Sequence, residues 1–404
     1  MFTSVLYHGF GIQGYQHVHT KYHDRAIHYR VRQEVFSLRC PECCSYQVKR
    51  RGQVMRRFLT LPIGDKPVWI ELLVQRVFCR LCGVLRQVKI NFASRRRSYT
   101  RAFARYALGL SRHMTIQDVA RHLGVSWDLI KEIQKQYLLR RFARPQLHKL
   151  KQIAIDEISV GKGHRYLTIV LDLKSGAVVF VGEGKGSEAL EPFWARLKRQ
   201  QVRLEAVATD MSPAYISAVV THLPEATLVF DRFHVIKLYN DGLSDLRRKL
   251  YHEATDLMQK QVIKGTRWLL LKNPENLSQD RKEAERLEEA LRLNQPLALA
   301  YYLKEDLRQF REQPSKTTAA AFLEDWIARA QTAGIPLLLR FYKIMALHRR
   351  GLLAYYDYRI STGLLEGTNN KIRTMQRQAY GFRDQEFFKL KILALHETKY
   401  ALVG

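Results

Sequence analysis

Apolar and polar residues alternate along two early stretches, Gln53-Val54-Met55-Arg56-Arg57-Phe58-Leu59-Thr60-Leu61 and Val68 to Phe78, with Gly64-Asp65-Lys66-Pro67 between them. Period-two alternation on both sides of a turn-forming stretch predicts a β-hairpin. From Thr115 to Ile133 the period becomes helical, broken once at Gly124. Thr115 and Ser126 are N-cap residue types, and Asp118 stands three places after Thr115 as a capping-box partner. Val119, Leu123, Val125, Leu129, Ile130 and Ile133 fill one inner face, and Ala120 is small where two helices would cross. This predicts a helix-turn-helix whose second helix runs from Trp127 and turns Lys131, Gln134 and Lys135 outward.

After the linker Arg140-Arg141-Phe142-Ala143-Arg144-Pro145 the pattern becomes α/β. Strands are expected over Ile153–Val160, Tyr166–Asp172 and Ala177–Val181, followed by a helix over Ser187–Arg199. A fourth strand ends at Thr209-Asp210, a helix starts after Ser212-Pro213, and a fifth strand covers Thr227–Phe230. Three strands in a meander, then helix, strand, helix and strand, is the order of an RNase H-like fold. Between about 238 and 347 the chain is charged and helix-periodic, which predicts a helical insertion with Trp268, Tyr301, Tyr302 and Trp326 in its core. The helix carrying Glu366 then returns to the α/β core, and Phe387 to Leu395 closes it as a packing helix.

All five cysteines lie in the first quarter of the chain: Cys40, Cys43, Cys44, Cys79 and Cys82. Two Cys-x-x-Cys turns, Cys40/Cys43 and Cys79/Cys82, each present two thiolates to one cation, and together they complete a tetrahedral zinc site on a ribbon. Cys44 is a bystander or an alternative ligand. The fold class expected is therefore multidomain α+β: an N-terminal zinc ribbon, a helix-turn-helix, and an RNase H-like α/β catalytic domain interrupted by an all-helical insertion. The expected boundaries are 1–35 for a lead-in, 36–98 for the ribbon, 99–147 for the helix-turn-helix, 148–240 and 348–404 for the two parts of the catalytic domain, and 241–347 for the insertion.

Charge narrows the partner. Lys and Arg number 67 against 38 Asp and Glu, a net +29, which a polyanion would offset. Nucleic acid is the expected partner. The run Arg95-Arg96-Arg97 joins the two DNA-binding modules and is a candidate for phosphate contact. No run of 18 apolar residues and no signal-peptide pattern occurs, so the expected setting is the cytoplasm of a bacterium, away from any membrane.

Three acids sit where charge is costly: Asp156 inside the β-branched run Ile153–Val160, Asp210 at the end of the fourth strand, and Glu366 on the returning helix. In RNase H-like order the first two are neighbours in the sheet and the third closes the cage. Carboxylates hold hard cations such as Mg2+ or Mn2+, and two cations per site suit phosphodiester chemistry. Glu366, Asn370 and Arg373 share a helix face, placing a metal-binding acid beside groups suited to phosphate. Alternation points Glu157 away from Asp156, and it is left out. His234 is either a contact to DNA or the scissile phosphate, or a core histidine.

The succession Cys40-Pro41-Glu42-Cys43, Cys79-Arg80-Leu81-Cys82, Ile155-Asp156-Glu157-Ile158-Ser159, Thr209-Asp210-Met211-Ser212, Asp231-Arg232-Phe233-His234-Val235 and Gly363-Leu364-Leu365-Glu366-Gly367-Thr368-Asn369-Asn370-Lys371-Ile372 resembles the ISL-three family of bacterial insertion-sequence transposases, of the DDE class. The resemblance implies a structural zinc, a helix-turn-helix, and Asp156, Asp210 and Glu366 as the catalytic triad. It implies binding to terminal inverted repeats and strand transfer into target DNA with Mg2+ or Mn2+, by a homodimer or higher oligomer. The rival readings are a non-catalytic DNA-binding regulator (or domesticated transposase) and a nuclease that cuts without joining.

Overall fold

A computed structural model describes residues 5–161, 163, 165–230, 232–361 and 363–397. It divides into two compact units, one of residues 1–143 with 374–404 and one of residues 144–373. Asp231 and Thr362, which fall in the sequence motifs, lie outside the described residues.

In the first unit a short helix, α1 (Val5–His8), precedes strands β1 (Tyr15–His23), β2 (Ala26–Gln33), β3 (Val48–Ile63), β4 (Lys66–Cys79) and β5 (Leu85–Gln87). The predicted hairpin is the β3–β4 pair, antiparallel from Val48↔Cys79 to Ile63↔Lys66, and Gly64 turns it with φ +60°. The lead-in does not stand apart from it: β2 pairs parallel with β4 from Ile27↔Val68 to Val31↔Leu72, giving the order β1-β2-β4-β3 with β5 also on β4. Pairing is secured by one core in which Leu6, Ile27, Val31, Phe58, Ile70 and Leu72 are all buried. Glu71 of β4, itself buried, is neutralised by Arg30 of β2 at 3.0 Å and Arg57 of β3 at 3.2 Å.

Helices α2 (Arg101–Leu110), α3 (Ile116–Leu123) and α4 (Trp127–Phe142) follow. The cap and turn signals read from sequence are present, but the reciprocal half of the capping box is not: the Asp118 carboxylate accepts from the Thr115 hydroxyl at 2.6 Å. Thr115 Oγ1 accepts from the Asp118 N–H at 3.1 Å, Gly124 takes the left-handed φ of +62° between the helices, and Ser126 caps α4 through the Leu129 N–H. Val119, Ile130 and Ile133 are buried in the shared core.

The second unit holds β6 (Gln152–Gly161), β7 (Arg165–Asp172), β8 (Val178–Glu183), α5 (Glu191–Arg199), β9 (Ala206–Thr209), α6 (Pro213–His222) and β10 (Thr227–Phe230). The sheet order is β10-β9-β6-β7-β8, antiparallel across β6, β7 and β8 and parallel across β6, β9 and β10. This is the predicted RNase H-like arrangement.

Next comes a run of helices: α7 (Arg232–Glu253), α8 (Leu257–Gly265), α9 (Glu283–Leu293), α10 (Gln295–Gln309), α11 (Lys316–Thr332), α12 (Pro336–Leu347), α13 (Arg349–Leu353), α14 (Tyr355–Tyr358), α15 (Gly363–Gln378) and α16 (Gln385–Leu393). The expected boundary at 240–241 falls inside α7, which is continuous for 22 residues and packs through Tyr239 and Leu243 into the same core as Trp326 and Phe341. Of the four aromatic residues expected in that core, Trp326 and Tyr301 are buried, whereas Trp268 and Tyr302 are exposed. Successive residues on a helix point about 100° apart, so Tyr301 and Tyr302 cannot both face inward. Gly351 on α13 lies against the Phe230 ring of β10, where an added Cβ would stand 2.4 Å from it, and so packs α13 against the sheet.

The expected second part of the catalytic domain, 348–404, is divided. Residues up to Arg373 belong with the sheet of the second unit. Helix α16 instead packs with α2–α4, burying Phe387, Leu390 and Ala394 beside Phe103, Val119 and Ile130.

Candidate metal centres and nucleic-acid interface

The two Cys-x-x-Cys turns meet at one end of the β3–β4 hairpin. Cys40, Cys43, Cys79 and Cys82 bring their Sγ atoms within 4.8 Å of one another, with Cys40–Cys82 at 3.6 Å and Cys43–Cys79 at 3.5 Å. Four thiolates about 2.3 Å from a tetrahedral zinc would stand about 3.8 Å apart, so this donor set fits Zn2+. The N–H groups of Cys82 and Leu81 draw the Cys79 thiol down to about 7 against the effect of burial and Cys40 is also lowered, while burial and the neighbouring thiols push Cys43 and Cys82 up. Cys44 takes a left-handed φ of +60° just after the first turn and is not one of the four. Among the described residues this is the only such group of three or more His, Cys, Asp or Glu ligands.

The second site lies at the open end of the RNase H-like sheet. Strand β9 pairs with β6 only as far as Ala154↔Ala208. Two residues further on each strand stand Asp156 and Asp210, so the parallel register sets them side by side beyond the last pair. Asp156 Oδ1 accepts from the Glu157 N–H at 2.8 Å, and Asp210 Oδ1 accepts from the Ser212 N–H at 3.0 Å. Helix α15 brings Glu366 to the same place. Asp156, Asp210 and Glu366 line one cavity of about 560 Å3, together with Lys237, Asn370, Arg373, His234 and Asn369. Glu366 and Arg373 are exposed in it, and Asp156 and Asp210 are half-buried.

Burial pushes the Asp156 carboxyl above the usual carboxylate range. The Glu157 N–H, His234 and Asn369 oppose that rise, while the neighbouring Asp210 adds to it. Among the described residues none of the three acids makes an ion pair with Lys or Arg, the alternative that their setting in so basic a chain would suggest. Glu157, set aside by strand alternation, also lines the cavity, and Tyr215 Oη donates to its Oε2 at 3.4 Å. With no β9 partner beyond Ala154, the edge of β6 is open here and both of its faces reach the cleft. His234 is half-buried with its Nδ1 unpartnered.

Asn369 went unnoticed in the sequence. It is 6 % exposed, and its Nδ2 donates to Asp156 Oδ2 at 2.7 Å. The signal available was its place three residues after Glu366, one turn along the same helix.

The helix-turn-helix differs from expectation at its charged residues. Lys131 and Lys135 do not project freely: both reach Asp384 Oδ2 at 3.1 Å, and Lys135 also pairs with Glu386 at 2.6 Å. Gln134 is buried. The acidic N-terminus of α16 takes the side of α4 that the sequence assigned to DNA. Exposed on α4 are its start, Trp127 and Asp128 beside the N-cap Ser126, and, near its other end, Arg140 and Arg141. In the preceding run Arg95 and Arg96 are exposed, whereas Arg97 is half-buried in an ion pair with Glu132 at 2.8 Å.

Sequence comparison places these parts in a known setting. Residues 153–392 match a domain described as "Transposase", residues 88–138 the "Helix-turn-helix domain of transposase family ISL3", and residues 37–82 the "zinc-finger of transposase IS204/IS1001/IS1096/IS1165". The transposase for insertion sequence element IS1001 of Bordetella parapertussis is 33% identical over 362 residues, 88% of each chain. That for IS1557 of Mycobacterium tuberculosis is 28% identical over 384 residues, 88% of this chain and 84% of the relative. Among solved structures, the Drosophila P element transposase strand transfer complex gives a TM-score of 0.41 at 11% identity, covering 76% of this chain and 94% of that one.

Proposed function

The chain belongs to transposase family ISL3, and from that premise we propose that Asp156, Asp210 and Glu366 are the catalytic, metal-holding acids of a DDE reaction on DNA. One observation carries the reading. Acids 54 (210 − 156) and 156 (366 − 210) positions apart converge on one cavity, and no basic partner among the described residues takes up their charge.

Three carboxylates are hard oxygen donors of the kind that hold Mg2+ or Mn2+. Two such cations, when bound, would activate the attacking oxygen and stabilise the leaving one. Asp156, central in the sheet and hydrogen-bonded at both carboxylate oxygens, would hold them together with Asp210 and Glu366. Arg373, Asn370 and Lys237 on the cavity wall would orient the DNA phosphates by charge-assisted contacts. The reaction is hydrolysis of one strand at the element's terminal inverted repeats, followed by in-line attack of the freed 3′-hydroxyl on a target phosphodiester.

The zinc ribbon and helix-turn-helix deliver the ends. Arg95 and Arg96 supply phosphate contacts, and the exposed first turn of α4 offers the base-reading surface. Lys131 and Lys135 are not part of this proposal, because Asp384 and Glu386 already neutralise them. Two ends must be joined in one event, so the active form on DNA is a homodimer or larger, working in the cytoplasm where the DNA of a bacterium lies.

The test is cleavage of inverted-repeat DNA by wild type and by Asp210→Asn, with DNA affinity measured alongside. Asp210→Asn should retain affinity and lose cleavage by more than about a hundredfold, the scale reached even by groups that only support a metal ligand. Tight binding with no cleavage by the wild type under Mg2+ or Mn2+ would favour the regulator.

A further inference from the structure

The floor of the acidic cavity holds a contact that the triad does not account for. Asn369 sits on the buried side of α15, one turn beyond Glu366, and its side-chain amide reaches across to β6. Asp156 Oδ2 receives Asn369 Nδ2 at 2.7 Å, while Oδ1 receives the Glu157 backbone N–H at 2.8 Å. Each carboxylate oxygen thus has one protein donor and keeps its other lone pair for the cavity. The amide is fixed in turn, being 6 % exposed on a helix whose next turn buries Ile372 completely. Asn369 Oδ1 is also buried and has no hydrogen-bond donor among the described residues. Buried acceptors are nearly always satisfied, so this one suits a donor that arrives with the cavity's contents, such as a water on a cation.

We propose that Asn369 is a positioning residue for Asp156: it locks the rotation of that carboxylate so that one edge faces the cations, and it ties α15, and with it Glu366, to β6. The inference rests on the reading of Asp156 as a metal ligand. Groups that orient a metal ligand in this way are worth about ten- to a hundredfold in metal affinity. The backbone N–H on Oδ1 cannot substitute, since one hydrogen bond leaves the carboxylate free to turn about χ2, which is a soft torsion.

The experiment titrates Mn2+ into the full-length protein without DNA, following loss of the free-ion EPR signal. It compares wild type with Asp156→Asn, Asn369→Leu, Asn369→Ala and Thr368→Val. Thr368 is a buried neighbour on the same helix whose hydroxyl bonds only to the Leu364 carbonyl, and it controls for disturbance of α15. Thermal unfolding of each variant checks that it is folded. Asp156→Asn should abolish the tight Mn2+ site, and both Asn369 variants should weaken it about tenfold or more, with Thr368→Val at the wild-type value. In cleavage assays the Asn369 variants should need correspondingly more Mg2+ for half-maximal rate. Loss of the site in Asp156→Asn with wild-type affinity in both Asn369 variants would overturn the inference and leave the metal reading standing. An unchanged site in Asp156→Asn would overturn the metal reading itself.

Discussion

At the residue scale, strand register brings Asp156 and Asp210 to one cavity, which Glu366 of α15 also lines. Ala154↔Ala208 is the last parallel pair, and an acid two places beyond it on each strand must stand at the same height in the sheet. Sequence pattern revealed this much, since strand order and spacing are local. It did not reveal Asn369, whose partner lies 213 residues away, or the part of Glu157 in the cleft wall, which depends on where β9 stops. The same limit explains Lys131 and Lys135. Read alone, α4 presents them to a groove, but Asp384, 249 residues after Lys135, turns them into a buttress. That buttress has a pH signature. Although burial works against it, the Phe387 N–H together with Lys131 and Lys135 holds the Asp384 carboxyl at about 2, below its ordinary 3.8. A carboxylate whose folded pKa is depressed stabilises above its unfolded value, and that stability is lost as pH falls through the folded one. Asp384→Asn should therefore cost about 1–2 kcal/mol at neutral pH. The deficit should shrink as pH drops from about 4 to about 2. Denaturant melts at several pH values measure it, and a deficit independent of pH would contradict the assignment.

At the scale of elements, the helices and turn of the helix-turn-helix were legible because their determinants are capping and turn residues that act within four positions. Ser126→Ala removes the only side-chain cap on α4 and should cost about 1 kcal/mol. It should also weaken DNA binding, since the exposed first turn of that helix is the proposed base-reading surface; thermal unfolding and a DNA titration read the two effects. The junction of insertion and sheet is steric and was invisible to pattern. Gly351→Ala would drive a methyl into the Phe230 ring, 2.4 Å away, with overpacking typically costing about 1–3 kcal/mol. Because β10 neighbours β9, the strand leading to Asp210, reduced cleavage should accompany the lower melting temperature.

For the whole molecule, the proposed function assigns the charge excess to holding DNA and the acidic cavity to cutting it. Among the described residues no helix is long and apolar enough to cross a membrane, and +29 suits a polyanion. DNA affinity should fall steeply with salt, and replacing Arg95 and Arg96 together by Ala should lower the log–log salt slope by about 2, one for each phosphate contact. The ribbon should carry one zinc per chain, since its four sulfurs already hold ligand spacing. Removing that zinc with a strong chelator should lower the melting temperature and DNA affinity, while the buried core of the surrounding sheet keeps its strands. Metal analysis finding no zinc in active protein would refute the assignment. The lead-in strands were the hardest part to place in advance, because β2 reaches the sheet by a parallel pairing with β4 that leaves no turn signal between them.

The central claim is that Glu366 completes a metal-dependent site that joins DNA as well as cutting it. The most direct measurement incubates the element's own end DNA with a target plasmid and Mg2+, resolving cleaved and joined products for wild type and Glu366→Gln. The account predicts joined product from wild type, and neither cleavage nor joining from Glu366→Gln, with equal DNA affinity in both. Undiminished joining by Glu366→Gln would show that the third acid lies elsewhere.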